Sequence, residues 1–240
     1  VLLRTIQGLV TGTVSAANAL VAAAAPRSRS GFAMGVLLVG LTTGIAIGPL
    51  IGGVMADAFG YRMTFVLTAA LLLLSGILVL VGVQEKFERP PAGAEQKRSF
   101  LSDWRHVLQT EGVPMAYGLR FLANLGRSLI IPFAPLFIAT LLTSDARLNT
   151  FTGLVIGVSA GAGTLTAVFL GRLGDKIGHR RVLQWSALLT GLFYLPQGLV
   201  TNAWQLLALQ ALSGGAAGGI IPTLSALLAR YTDPGEEGSV

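Results

Sequence analysis

Three stretches of this chain, residues 30 to 56, 63 to 84 and 182 to 229, contain no Asp, Glu, Lys or Arg. A helix needs ~20 apolar residues to cross ~30 Å of hydrocarbon. Each stretch is therefore long enough to span a bilayer, and the last is long enough to span it twice. Such segments recur along the whole chain, so a cleaved leader does not account for them. The composition agrees: 52% of residues are hydrophobic and 12% are charged, against about 25% charged in a soluble domain.

Seven apolar segments can be drawn, at roughly 1–25, 32–56, 63–83, 114–142, 151–171, 182–200 and 204–229. They predict an all-α polytopic membrane protein embedded in a lipid bilayer. The connections alternate in charge. "PRSRSG" carries two arginines, the segment from Gln84 to His106 carries five Lys or Arg, and "GRLGDKIGHRR" holds Arg172, Lys176, Arg180 and Arg181, whereas "MADAFGYR" and "TSDARLNT" are neutral overall and "TNAW" is uncharged. Lys and Arg mark the cytoplasmic side, so every second connection faces inward. The "RYTDPGEEGSV" tail, with Arg230 alone, is the weakest member of that series. The formal charge of +6 is scattered between apolar spans rather than gathered into one stripe with stacking aromatics, and no nucleic-acid partner is expected.

Residues 84–113 form the one long polar connection, with Pro90-Pro91 and a short amphipathic helix expected around 100–108. This linker divides the chain into 1–83, the end of one helical bundle, and 114–240, the start of another. A shift of 207 residues lays Gly8 on Gly215, Gly12 on Gly219 and Ala19 on Ala226. In both copies a small-residue helix is followed by a polar turn, and repeats of this kind build secondary transporters with two six-helix halves. The chain opens with Val1 inside an apolar run, so a fragment is expected.

Chemistry-bearing residues are few. There is no cysteine, both histidines fall in charged connections without a catalytic partner nearby in sequence, and all eleven acids lie in loops or at span ends. Neither a metal site nor a membrane-embedded enzyme is expected. The more informative pattern is "GLTTGIAIGPLIGG", which sets Gly40, Gly44, Gly48 and Gly52 on one helical face with Pro49 inside. A phosphate-binding loop does not fit, because no Lys-Ser/Thr follows and apolar helices flank the stretch. Small residues at this spacing let another helix approach closely in lipid, and Pro49 should kink the span. Gly153, Gly157 and Gly161 make a second ridge of the same spacing.

Three motifs then point in one direction. "GIAIGPLIGG", ending in Gly52 and Gly53, resembles the fifth-helix antiporter motif of drug/proton antiporters in the major facilitator superfamily. "RTIQG", Arg4 to Gly8, is similar to that group's fourth-helix motif, and "GRLGDKIGHRR", with Gly171, Asp175, Gly178, Arg180 and Arg181, resembles the superfamily's cytoplasmic loop signature between helices eight and nine. "GGVMADAFGYR" repeats the spacing of that loop signature through Gly53, Asp57, Gly60 and Arg62.

The resemblance implies an incomplete major facilitator fold, helices four to ten of twelve, in a protein of a bacterial plasma (inner) membrane. It implies proton-linked export of drugs or other small amphipathic compounds by two rocking bundles. A facilitator or symporter of sugars or other metabolites is the rival, and the chain by itself is expected to be inactive. The proton gradient supplies the energy, no cofactor is implied, and the complete protein is expected to be monomeric.

Arg4 would face the central cavity and tune proton coupling, or else snorkel to the outer interface; burial deep in the span costs at least ~2.5 kcal/mol. Gln7 and Asn18 would line the same cavity or serve helix packing. Tyr117, Arg120, Asn124 and Arg127 fall on one face of the span at 114–142, with Arg120 near its start, where it would snorkel, and Arg127 about 20 Å in from that start, where it could hold an anionic group or pair with a carboxylate from another helix. Asp175, Arg180 and Arg181 would form a charge network that latches the cytoplasmic end. Helices five and eight, carrying the two glycine ridges, would meet across the two halves. No acid lies mid-span, so a proton-accepting carboxylate would belong to helices one to three or eleven and twelve.

Overall fold

The computed structural model describes Thr5 and residues 13–24, 30–82, 113–142 and 147–231. Its helices are α1 (Thr13–Ala24), α2 (Ser30–Gly82), α3 (Val113–Ile130), α4 (Ala134–Leu141), α5 (Leu148–Ile177), α6 (His179–Tyr194), α7 (Ala203–Ala217) and α8 (Ile220–Tyr231), with a 3-10 turn over Leu195–Leu199. No strand occurs among the described residues. Arg4, Gln7, the glycines of the first repeat copy and the polar linker up to residue 112 lie outside them.

The 53 residues of α2 would extend about 80 Å at 1.5 Å per residue, more than two hydrocarbon thicknesses. The helix is divided at Gly60, whose dihedrals (φ 80°, ψ 163°) are the only non-helical pair within it. The spans expected at 32–56 and 63–83 are thus two helical arms joined at one residue, not across a loop. A positive φ combined with extended ψ is essentially a glycine conformation, so Gly60 permits the turn. Helical dihedrals run through Pro49. The non-helical residue of α2 is thus the glycine, whereas Pro49, the expected kink, keeps helical dihedrals and leaves the Ile45 carbonyl without its usual donor.

The expected span 114–142 is realised as α3 and α4, bent by 47° across Ile131, Pro132 and Phe133. Pro132 has no N–H for the helical ladder, and Pro135 suits the first turn of α4 because that position needs no donor. The 182–200 segment starts earlier than expected, at His179, and ends in the 3-10 turn. The last crossing is interrupted at Gly218 and Gly219 between α7 and α8.

Helix α5 is the centre of the arrangement, packed between α2 and α7, while α6 packs on α7 and α8. Buried apolar residues are sparse: Ile138, Val155 and Leu206 form one cluster, and Leu183 with Leu224 another. Large side chains such as Leu72, Leu73 and Phe65 point outward, as expected where the surrounding solvent is itself apolar. Small residues do more of the packing. Gly163 lies against Gly214 and Gly218, and the Thr166 hydroxyl donates to the Gly215 carbonyl at 2.6 Å.

Replacing Gly60 by Ala should cost about 1–3 kcal/mol, because the backbone there is denied to L side chains. Gly76→Ala, inside the second arm with open space around it, should be neutral or slightly stabilising. Thermal unfolding in detergent checks the pair, and equal behaviour of the two variants would contradict the assignment of the break.

Candidate functional site

The closest approach between the two groups of helices is the crossing of α2 and α5, and it is made by backbone. A Cβ placed on Gly53 would collide with the Asn149 carbonyl, one on Gly153 with the Pro49 carbonyl, and one on Gly157 with the Ala46 carbonyl. Gly53 and Gly153 are buried. Cα–H groups resting on carbonyl oxygens in this way add modest attraction, but the larger effect is steric: any side chain at Gly53 or Gly153 forces the helices apart.

The face of α2 that makes this contact is Ala46, Pro49 and Gly53. It is not the face expected from the fourfold glycine spacing. No described residue lies within 4 Å of a Cβ at Gly40, Gly44 or Gly48, and at Gly52 the nearest is the Thr64 methyl, at 4.0 Å. Those glycines do share a face, yet sequence spacing specifies a groove without specifying which neighbour fills it. On α5 the expected ridge holds in part: Gly153 and Gly157 carry the contact, while a Cβ at Gly161 meets nothing described. These backbone contacts, at Ala46, Pro49 and Gly53, fall in the half of the first α2 arm nearest Gly60. By the distribution of Lys and Arg, that is the outer half.

A polar clamp closes the same end. The Asp57 carboxylate accepts hydrogen bonds from the Asn149 backbone N–H (3.2 Å), the Asn149 side-chain amide (2.8 Å) and the Thr150 backbone N–H (2.6 Å). Tyr61 donates its hydroxyl to the Asn149 side-chain oxygen at 3.1 Å. Asn149 and Thr150 are the second and third residues of α5, whose own N-cap, Arg147, makes no side-chain cap. A helix N-terminus leaves its first N–H groups unpaired and carries partial positive charge. Asp57 thus supplies, from another helix, a cap of the kind that stabilises a helix by about 1 kcal/mol.

At the opposite end of α5, the segment expected as a cytoplasmic loop is a one-residue joint. Gly178 (φ 98°) separates α5 from α6. His179, expected in a charged loop without a partner, is buried in the first turn of α6, with its ring against Gly174 and Nε2 3.3 Å from the Asp175 carboxylate. Its Nδ1 has no hydrogen-bond partner among the described residues. Asp175 remains 73% exposed. Arg180 and Arg181 are exposed, and among the described residues Asp175 pairs with His179, not with either arginine. Gly171 makes ordinary contact with Pro222.

The polar face on α3 is present as one continuous helix, which carries Tyr117, Arg120, Asn124 and Arg127, all exposed. Neither Asn124 nor Arg127 bonds to another described side chain, and Arg127 sits one turn before the bend at Ile131. Asn18, on α1, is half-buried. Sequence reasoning missed the Asp57–Asn149–Tyr61 clamp, although the loop-signature spacing through Asp57 and Gly60 was its visible signal.

These features define a polytopic helical membrane protein whose two helix groups meet through a small-residue crossing. The sequence profile of the Major Facilitator Superfamily matches residues 1–119 and 116–240, and the chain belongs to that family. It is 34% identical over 233 residues to the multi-drug resistance efflux pump PmrA homolog of Lactococcus lactis, covering 96% of this chain and 56% of that protein. It is also 34% identical over 230 residues to the multidrug resistance protein MdtG of Serratia proteamaculans, covering 94% and 54%. A third relative, MdtG of Proteus mirabilis, is 32% identical over 243 residues and is covered to 59% of its length. The chain spans about half the length of the curated relatives it matches.

Leucine at Gly153 or Gly53 should separate α2 from α5 and lower the thermal midpoint clearly, whereas Gly48→Leu should change it less. Thermal melts of the three variants check this, and equal losses at all three positions would refute the contact face assigned to α2.

Proposed function

We propose that the complete protein is a proton-coupled exporter of drugs or other small amphipathic compounds in a bacterial plasma membrane, working by alternating access of two helical bundles. The observation that carries this reading is the α2–α5 crossing: two helices from different groups, in backbone-to-backbone contact toward the outer end. A crossing whose closest contacts are backbone to backbone, held at one end by a few hydrogen bonds, can separate and re-form as a unit, which rocking of two rigid bundles requires. The likeness to proteins described as multidrug efflux pumps and resistance proteins supports drug-like substrates.

In this reading Asn124 and Arg127 face the pathway, where a guanidinium on an otherwise apolar helix holds an anionic group or pairs with a carboxylate from another helix. Arg4, Gln7 and Asn18 take up the facing side, with Arg4 tuning proton coupling. Asp175, Arg180 and Arg181 serve the cytoplasmic end, which closes when the outer end opens. The carboxylate that accepts the proton is supplied by helices other than these, since no acid of this chain falls within an apolar span.

Dye efflux from energised vesicles containing the complete protein tests the proposal. Efflux should stop when a protonophore collapses the gradient, and Arg127→Ala should reduce it at least tenfold while leaving membrane insertion intact. Movement of dye that ignores the gradient would replace export by facilitation.

A further inference from the structure

Asp57 belongs to neither of the glycine ridges nor to the polar face of α3, yet it makes the densest set of polar contacts between the two helix groups. Three N–H donors of α5 converge on one carboxylate of α2, and Tyr61, four residues further along α2, holds the far side of Asn149. All four contacts join the bend of α2 to the first turn of α5, three from Asp57 at the end of the first arm and one from Tyr61 at the start of the second. None reinforces a helix from within its own bundle. If α2 and α5 separate at this end, every one is lost together and the α5 N-terminus is left uncapped, because Arg147 supplies no substitute.

The spacing that produces this clamp occurs twice. Gly53, Asp57 and Gly60 match Gly171, Asp175 and Gly178 in register, and both terminal glycines adopt positive φ where one helix gives way to the next. In each case the aspartate stands one turn before the joint. The two carboxylates differ in what they reach: Asp57 is half-buried against a helix N-terminus from the other group, whereas Asp175 is exposed and held only by His179 of the adjoining helix. The outer aspartate is thus engaged across the bundles while the equivalent inner one is not.

We propose that Asp57, with Asn149 and Tyr61, is an outer latch that holds the bundles closed on the outer side and must release for the pathway to open outward. Asp57 is a positioning residue in this role: it sets the balance between outward-closed and outward-open states through the α5 N-terminus and touches no substrate. The proposal rests on the alternating-access reading, with a readout independent of transport.

The test uses the complete protein in lipid nanodiscs, with spin labels on introduced cysteines. Phe59 paired with Thr201 reports the outer ends, and Phe32 paired with Ile177 reports the inner ends; all four positions are exposed, and this chain brings no native cysteine. Asp57→Ala should lengthen the outer distance and shorten the inner one, raising the outward-open fraction about tenfold, the effect of losing one strong cap. Asp57→Asn keeps one acceptor oxygen but sets an amide NH2 against an α5 donor, and should shift the distances in the same direction to a smaller extent. Asn149→Ala, which retains the backbone donor, should shift the distances in the same direction as Asp57→Ala, and it decides the matter alone if Asp57→Ala does not accumulate. Unchanged distance distributions in folded Asp57→Ala or, failing that variant, in Asn149→Ala would overturn the latch. Dye efflux by the parent protein, measured in parallel, separates the two readings: a parent that exports nothing removes the transport function but leaves the distances to judge the latch.

Discussion

Backbone-to-backbone contact between α2 and α5 is the interaction on which the rest of the arrangement depends. In hydrocarbon, water does not drive apolar faces together, so helices associate through close packing and polar contacts. Gly53 on the Asn149 carbonyl and Gly153 on the Pro49 carbonyl bring the two backbones into direct contact. That proximity in turn lets a side chain as short as Asp57 reach the first turn of α5. Glycine packing and the polar clamp are therefore one device: moving the backbones apart breaks the hydrogen bonds.

Much of this was legible in the sequence. Charge-free runs located the spans, since burying a charge at the centre of a bilayer is costly, and Gly153 and Gly157 were identifiable as a packing ridge. The contacting face of α2 was not. Its glycines recur every fourth residue, but Ala46, Pro49 and Gly53 lie on a different stripe of the same helix, and periodicity ranks stripes by size of side chain without naming their neighbours. Pro49 was legible as a ladder defect but not as a residue whose carbonyl receives the partner helix.

Local joints were misread for a related reason. Between hydrophobic runs, "MADAFGYR" and "GRLGDKIGHRR" look like loops because they are polar. Each is helical up to a single glycine with positive φ, and polarity there reflects proximity to the membrane surface, not loss of helix. His179 shows the same limit. Its neighbours Arg180 and Arg181 are exposed, but helical geometry turns its ring inward against Gly174, a position where any other side chain would collide with it. The repeated GxxxDxxG spacing was visible from the start, whereas the fact that one copy reaches across to another helix is a property of tertiary structure alone.

The central claim, that the outer ends of α2 and α5 must part during the transport cycle, is tested most directly by tying them together. Cysteines replacing Tyr61 and Asn149, whose side chains meet in the structure, can be bridged in the complete protein with a short reducible bifunctional thiol reagent. Bridging should arrest dye efflux from energised vesicles, and reduction should return it to the level of the same double-cysteine protein before bridging. Undiminished efflux from fully bridged protein would contradict the account.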